Sequence, residues 1–219
     1  MAHRKIFKHN FVAEVDDIGM DYENGKRYYF LPNGQRFRSV TTVISEKADK
    51  SFLIEWRKRV GEEEAQKTTT RASKRGTAMH TLAENYILNK DYKDGVIPSN
   101  LDMFNTIKPY LDEHVDNVLG IELALYSNFL RAAGRTDLVA EYKGIPSIID
   151  YKTSAKKKKE EWIQDYFIQS SCYAIMFEWI YKIKIPQIVI MIAVDNEPAQ
   201  IFVKNKVDFV DKVYETFTT

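Results

Sequence analysis

One stretch limits what this chain can fold into more than any other. It reads Gly134-Arg135-Thr136-Asp137-Leu-Val-Ala-Glu-Tyr142, then Lys143-Gly144-Ile-Pro146, then Ser147-Ile-Ile-Asp150-Tyr151-Lys152. An apolar strand, a turn and a second apolar strand make a hairpin that carries charge where strands usually do not. Side chains alternate along a strand, so Ile148, Asp150 and Lys152 share one face while Ile149 and Tyr151 share the other. A carboxylate and an ammonium therefore project together from a mostly buried strand. Burying charge is costly unless the charge is paired or bound to an ion. A structural salt bridge meets that demand. A divalent cation meets it too, because the hairpin can bring Asp137 close to Asp150, and two adjacent carboxylates favour a cation over mutual repulsion. Two acids and a lysine fit metal-assisted phosphodiester hydrolysis.

The rest of the chain supplies the frame. Its 219 residues suffice for one well-cored domain, expected to span 1–219, with a β-hairpin around 24–44 where Asn24-Gly25 and Asn33-Gly34 bracket Lys26 to Leu31. Thr41 or Thr42 could cap a helix after it. Ser51 to Gly61 reads as a helix, and so does about Arg71 to Leu88. Lys67, Arg71, Lys74 and Arg75 lead directly into Gly76 and His80; a solvated helix face and a surface that tracks a nucleic-acid backbone are both open readings. Ala72, Gly76, His80, Ala83 and Ile87 fall on one helical stripe, which turns His80 inward. A lone inward histidine is more often a satisfied core residue than a ligand. Gly76 costs about 1 kcal/mol in a helix interior, a penalty easier to understand if something must approach closely there. Leu101 to Leu119 reads as a helix stopped by Gly120. Ile121 to Phe129 alternates as a strand, with Ile121, Leu123 and Leu125 opposite Glu122, Ala124 and Tyr126. The lysine run Lys156 to Lys159 opens a helix from about Glu160 to Tyr181, where Trp162, Tyr166, Gln169, Tyr173, Met176 and Ile180 form a seam. A strand from Gln187 to Val194, a short strand near Ala199 to Val203 and a helix from Lys206 close the chain. This order predicts an α/β fold, a mixed central sheet flanked by helices with the site at strand ends.

Composition excludes several classes. A net charge of +1 means that any contact with nucleic acid must come from local basic surface. Cys172 is the only cysteine, so an internal disulfide and a cluster held by four thiolates are both impossible; it reads as a packed small hydrophobe. No apolar run approaches the ~18 residues needed to cross a bilayer, and Met1-Ala-His-Arg-Lys lacks the apolar segment of a signal peptide. A soluble, cytoplasmic protein of a bacterial or phage-infected cell is expected. A mitochondrial address is less favoured, since the basic start turns acidic from Phe11 to Asp17 and holds no serine.

At its charged hairpin the chain resembles a known family. Asp137 followed by Asp150-Tyr151-Lys152 is similar to the signature of the PD-(D/E)XK nuclease superfamily. Gln169-Ser-Ser-Cys-Tyr173 resembles the Gln-x-x-x-Tyr motif of its RecB-like branch. Within that branch the likeness is to the mitochondrial genome maintenance exonucleases and their phage and bacterial counterparts. It begins near Ser39-Val-Thr-Thr-Val43, includes Arg75-Gly76-Thr-Ala-Met-His80, and runs to about Trp179. A bare D-x-K is common by chance; the ordered series His80, Glu122, Asp137, Asp150, Lys152, Gln169, Tyr173 is far less so.

The resemblance implies a restriction-endonuclease-like core and a metal-dependent deoxyribonuclease. His80, Asp137, Asp150 and the backbone carbonyl of Tyr151 would bind Mg²⁺ or Mn²⁺, with Glu122 in support and no iron–sulfur cluster. Lys152 would position or help deprotonate the attacking water, and Gln169 and Tyr173 would align the strand. Arg71, Arg75, Thr153, Ser154, Lys156 and Lys158 would contact the DNA backbone. The partner implied is DNA, single-stranded or with free ends, degraded from an end in replication, recombination or repair, alongside proteins of those processes. Two other readings stay open: a binding module that holds single-stranded DNA without cutting it, and a structure-specific endonuclease.

Overall fold

The computed structural model describes residues 4–14, 18–31 and 33–218. Residues 1–3 and 15–17, the latter including the acidic Asp16 and Asp17 that bear on the localisation expectation, lie outside them. Among the described residues eight strands, numbered in chain order from β1 (Gly19–Glu23) to β8 (Gln200–Asn205), form one mixed sheet in the order β1-β2-β3-β5-β6-β7-β8, with β4 (Val115–Ser127) also paired to β5. Of the six α-helices among the described residues, five form layers on its two faces, giving the α/β arrangement that the sequence predicts. Helices α3 (Glu62–Ile87) and α4 (Pro98–His114) cover one face, where Met79, Leu82, Phe104, Ile107 and Leu111 meet Ile149, Tyr151, Val189 and Met191. Helices α1 (Val40–Lys47), α5 (Gln164–Tyr181) and α6 (Val210–Thr218) cover the other, where Val40, Phe167, Met176, Phe177 and Val213 meet Ile148, Ile188, Ile190 and Ile192. The alternation read from the sequence is thus obeyed on β6 (Ile145–Ser154) and β7 (Gln187–Val194), which run parallel.

Local chemistry sets most boundaries. β1 (Gly19–Glu23) and β2 (Lys26–Phe30) are joined by Asn24 and Gly25, both at positive φ, the two-residue turn whose twist suits a hairpin. The segment from 24 to 44 is more than a hairpin, however. β3 (Arg36–Ser39) adds a third antiparallel strand, and α1 begins at Val40, capped by the Ser39 hydroxyl accepting from the Thr42 amide rather than by Thr41 or Thr42. A second turn at Lys143 and Gly144, again at positive φ, joins β5 (Ala132–Tyr142) to β6. Helix α3 starts earlier than periodicity indicates. Gly61, at φ 86°, separates it from α2 (Ser51–Val60), and Glu62, Glu63 and Glu64 fill its first turn, where acids complement the helix dipole.

Two expectations fail around residue 120. The helix does not run to Leu119; it stops at His114, and β4 (Val115–Ser127) takes over because Val115 and Val118 bury their side chains against the α3/α4 layer. Gly120 is therefore a strand residue, where a Cβ would come within 2.9 Å of Leu123. Nor do Ile121, Leu123 and Leu125 share a face. Glu122 holds φ at 46°, a left-handed conformation rare for a side chain of its size, and this kink breaks the alternation. Ile121 packs toward α3 and α4, while Leu123 and Leu125 join the α5 cluster.

Candidate active site

The site grows from a fork in the sheet. On one edge β5 is paired along its length with β4. On the other it pairs with β3 only at Ala132 and Ala133 and with β6 only from Leu138 to Tyr142. Gly134 to Asp137 thus face a gap, and past Ile149 strand β6 continues on β7 alone. Its freed backbone groups need other partners. The Tyr151 amide donates to Asp137 Oδ2 at 2.7 Å, and the Tyr151 carbonyl accepts from His80 Nε2 at 3.0 Å.

His80 arrives from α3, Glu122 from the kink in β4 and Asp137 from β5. The register brackets Glu122 opposite Asp137, since Ile121 pairs with Leu138 and Leu123 with Thr136. His80 Nδ1 lies 3.3 Å from Asp137 Oδ1 and 3.9 Å from Glu122 Oε1. One ligand atom from each of the three residues falls within 4.8 Å of the others, a group that could hold a metal ion. A nitrogen and two carboxylates suit a hard or borderline divalent cation; the Tyr151 carbonyl lies on the other ring nitrogen of His80, away from the carboxylates. Burial works against a charge on His80, but its hydrogen bonds to Asp137 and Glu122, with the charges of Asp137 and Asp150, outweigh burial and raise the imidazole to about 10.

Asp150 sits deeper and faces elsewhere. Only 2% exposed, it accepts from the Gln169 amide at 3.1 Å through Oδ1 and faces the Lys152 ammonium through Oδ2. Burial and the neighbouring Asp137 charge lift its carboxyl to about 6, against the pull of Lys152. Burial lowers Lys152, yet Asp150 and Asp137 more than compensate and raise it, so the side chain is a cation. The Tyr166 ring lies 5.1 Å from the Lys152 ammonium and braces it by cation–π attraction. Gln169 thus holds Asp150, and Tyr166 is the aromatic that touches the lysine. The helical seam contained Tyr166, but no sequence signal separated it from its packed neighbours.

Tyr173 is buried beneath β5, and there the sequence hid a dependence. A Cβ on Gly134 would fall 2.6 Å from the Tyr173 hydroxyl and 2.9 Å from its ring, so only glycine admits the tyrosine. Gly134→Ala should destabilise the protein by about 1–3 kcal/mol, read as a lowered midpoint in urea. An unchanged midpoint would show that Tyr173 is free to move. Gly76 shows the opposite: a Cβ there meets nothing within 4 Å, so close approach of protein does not explain that glycine.

The residues expected on the DNA backbone are spread wider. Thr153 and Ser154 end β6, the Ser154 hydroxyl donating to the Lys156 carbonyl at 2.6 Å. Lys156 is exposed, and the Lys158 amide donates to Gln200 Oε1 at 2.7 Å. Arg75 is bound by Asp195, one of its bonds at 2.7 Å, and Arg71 lies on the exposed side of α3. Arg71 precedes His80 by about two and a half helical turns, so the two lie on opposite sides of the helix. Cys172 is fully buried in the α5 cluster, its thiol pushed up by burial, as a core residue should be.

No family model matches this chain, and no curated protein does. Among solved structures, one described as a "Putative exonuclease" from Eubacterium rectale is similar over 65% of this chain and 63% of that one, with 12% identity and a TM-score of 0.43. The match thus spans less than two thirds of that protein. No helix among the described residues is long and apolar enough to cross a membrane.

Proposed function

We propose that this protein is a metal-dependent deoxyribonuclease of the PD-(D/E)XK type, RecB-like branch, hydrolysing phosphodiester bonds of single-stranded DNA from an end. The observation that supports it most is the pairing of two different charge systems at one fork. The group His80, Glu122 and Asp137, with its surplus of carboxylate, stands next to the buried Asp150–Lys152 pair. A purely structural salt bridge would need the second system only.

His80, Glu122 and Asp137 would hold Mg²⁺ or Mn²⁺, with Asp150 behind them, and the Tyr151 carbonyl would join them on giving up its hydrogen bond to His80 Nε2. When bound, such a cation polarises the scissile phosphate and makes a water more acidic. Lys152, kept charged by two carboxylates, places positive charge where negative charge accumulates on the phosphorane. As a cation it acts by electrostatics and orientation. Gln169 fixes Asp150, and Tyr173 fills the space under Gly134, so that β5 and α5 keep the fork open. That the reaction starts from an end rests on the family resemblance. Incubation with end-labelled linear and with circular single strands, with and without Mg²⁺ or Mn²⁺, tests it. An exonuclease shortens the linear strand only when metal is present and spares the circle. Cutting of the circle would make it an endonuclease, and binding without cutting a strand-holding module.

A further inference from the structure

Away from the fork, the exposed side of α3 carries Lys67, Arg71 and Lys74 at intervals of four and three residues, one per helical turn of about 5.4 Å. With Arg75, Thr70 and Asn100 they line a groove of about 450 Å³ between α3 and the start of α4, and no acidic residue lines it. Lys67 pairs with Glu63 and Arg75 with Asp195. Arg71 and Lys74 have no ion-pair partner among the described residues. A solvated helix face normally intersperses both signs along its length. Here the acids cluster in the first turn of α3, and the following two turns on this side carry cations and neutral polar residues but no acid.

Hydrogen bonds link the groove to the strand that carries the site. Asp195, which holds Arg75, donates its backbone amide to the Ser154 carbonyl at 3.0 Å, at the end of the strand that bears Asp150 and Lys152. Beyond Arg75 a larger groove of about 970 Å³ includes Asp102 and Glu113, so the side toward Arg71 and Lys74 is the one that suits a polyanion. We propose that the α3–α4 groove is a second binding site for the sugar–phosphate backbone of a single strand, with Arg71 and Lys74 as its contacts and Asp195 competing with phosphate for Arg75. The proposal rests on the reading of the fork as a site acting on nucleic acid, and it adds where the strand is held outside the reacting phosphate.

Binding is measured by fluorescence anisotropy of a labelled oligothymidylate over a salt series with EDTA present, so that turnover plays no part. Loss of two phosphate contacts in the Arg71→Ala/Lys74→Ala variant should weaken binding several-fold and flatten the slope of log K against log salt by about 1.4, at ~0.7 per contact. Asp195→Asn should tighten binding by releasing Arg75, whereas Asp211→Asn, an equal change of charge on α6 in the opposite layer, should not. Both exposed cations can be removed without disturbing the core. Wild-type affinity and slope in the double variant would overturn the proposal, and so would equal tightening by the two asparagine variants. The nuclease reading is judged separately. Metal-dependent cleavage by a protein whose binding ignores Arg71 and Lys74 keeps that reading and discards the groove. Groove-dependent binding without cleavage does the reverse.

Discussion

Lys152→Met is expected to abolish cleavage and, separately, to weaken the fold. The ammonium it removes is the partner of a carboxylate that is only 2% exposed. Breaking a buried ion pair from one side typically costs about 3–5 kcal/mol. The loss depends on pH, and its sign follows from Asp150. In the intact protein that carboxyl titrates at about 6, above its ordinary 3.8. The folded chain therefore binds this proton more tightly than the unfolded chain, and the associated stability is full below about pH 4 and gone once the pH has risen through 6. Lys152 lowers the Asp150 value; without it the carboxyl titrates higher still. The variant's deficit relative to wild type should be largest above neutrality and shrink toward pH 4, where Asp150 is neutral in both. Urea unfolding across that range reads it directly. A deficit independent of pH would mean that Lys152 contributes packing and not charge. The double replacement Asp150→Asn/Lys152→Met should recover much of the stability and none of the activity, which separates the role of the pair in the fold from its role in the reaction.

Asp137→Asn should lose cleavage by about 10³-fold or more, the scale of lost electrostatic stabilisation of a transition state. It should also lose a response that needs no substrate. A cation held by His80, Glu122 and Asp137 would tie α3 to β4 and β5, and a ligand that binds only the folded state stabilises it by mass action, about 2.7 kcal/mol at a hundred times its dissociation constant. The wild-type melting temperature should therefore rise with added Mn²⁺, and that of the variant should not. Since His80 titrates at about 10 without metal, binding near pH 7 must expel its proton. Apparent affinity should then climb about tenfold per pH unit, and titration calorimetry in buffers of different ionisation enthalpy should count one proton released. A melting temperature that ignores metal in the wild type would count against a cation at this fork.

How far the sequence could be read depended on whether a residue's role lay in its side chain or in its neighbours' backbone. The α/β order, the two-faced β6 and the charged hairpin were legible because alternation and turn chemistry are local. Asp150 and Lys152 stood out as charges in an apolar strand, and the structure does put them together in the interior. The strand start at Val115 was not legible, because burial against α3 and α4 overrode a helical pattern that continued to Leu119. The kink at Glu122 was hidden too: no local motif demands a left-handed glutamate, and only the convergence of β4, β5 and His80 gives it a purpose. Strain of this kind tends to gather at functional sites. Gly134 and Tyr173 are thirty-nine positions apart, and nothing in either segment announces that one is small to make room for the other.

The fork in the sheet has a consequence for position 151. Both atoms it lends to the site, an amide hydrogen and a carbonyl oxygen, belong to the backbone. Its own phenol ends in the interior with no hydrogen-bond partner among the described residues. Exchange of the side chain for phenylalanine leaves the site's inventory complete, so the letter written between Asp150 and Lys152 tells a reader about packing, while the work done there passes unrecorded in the code.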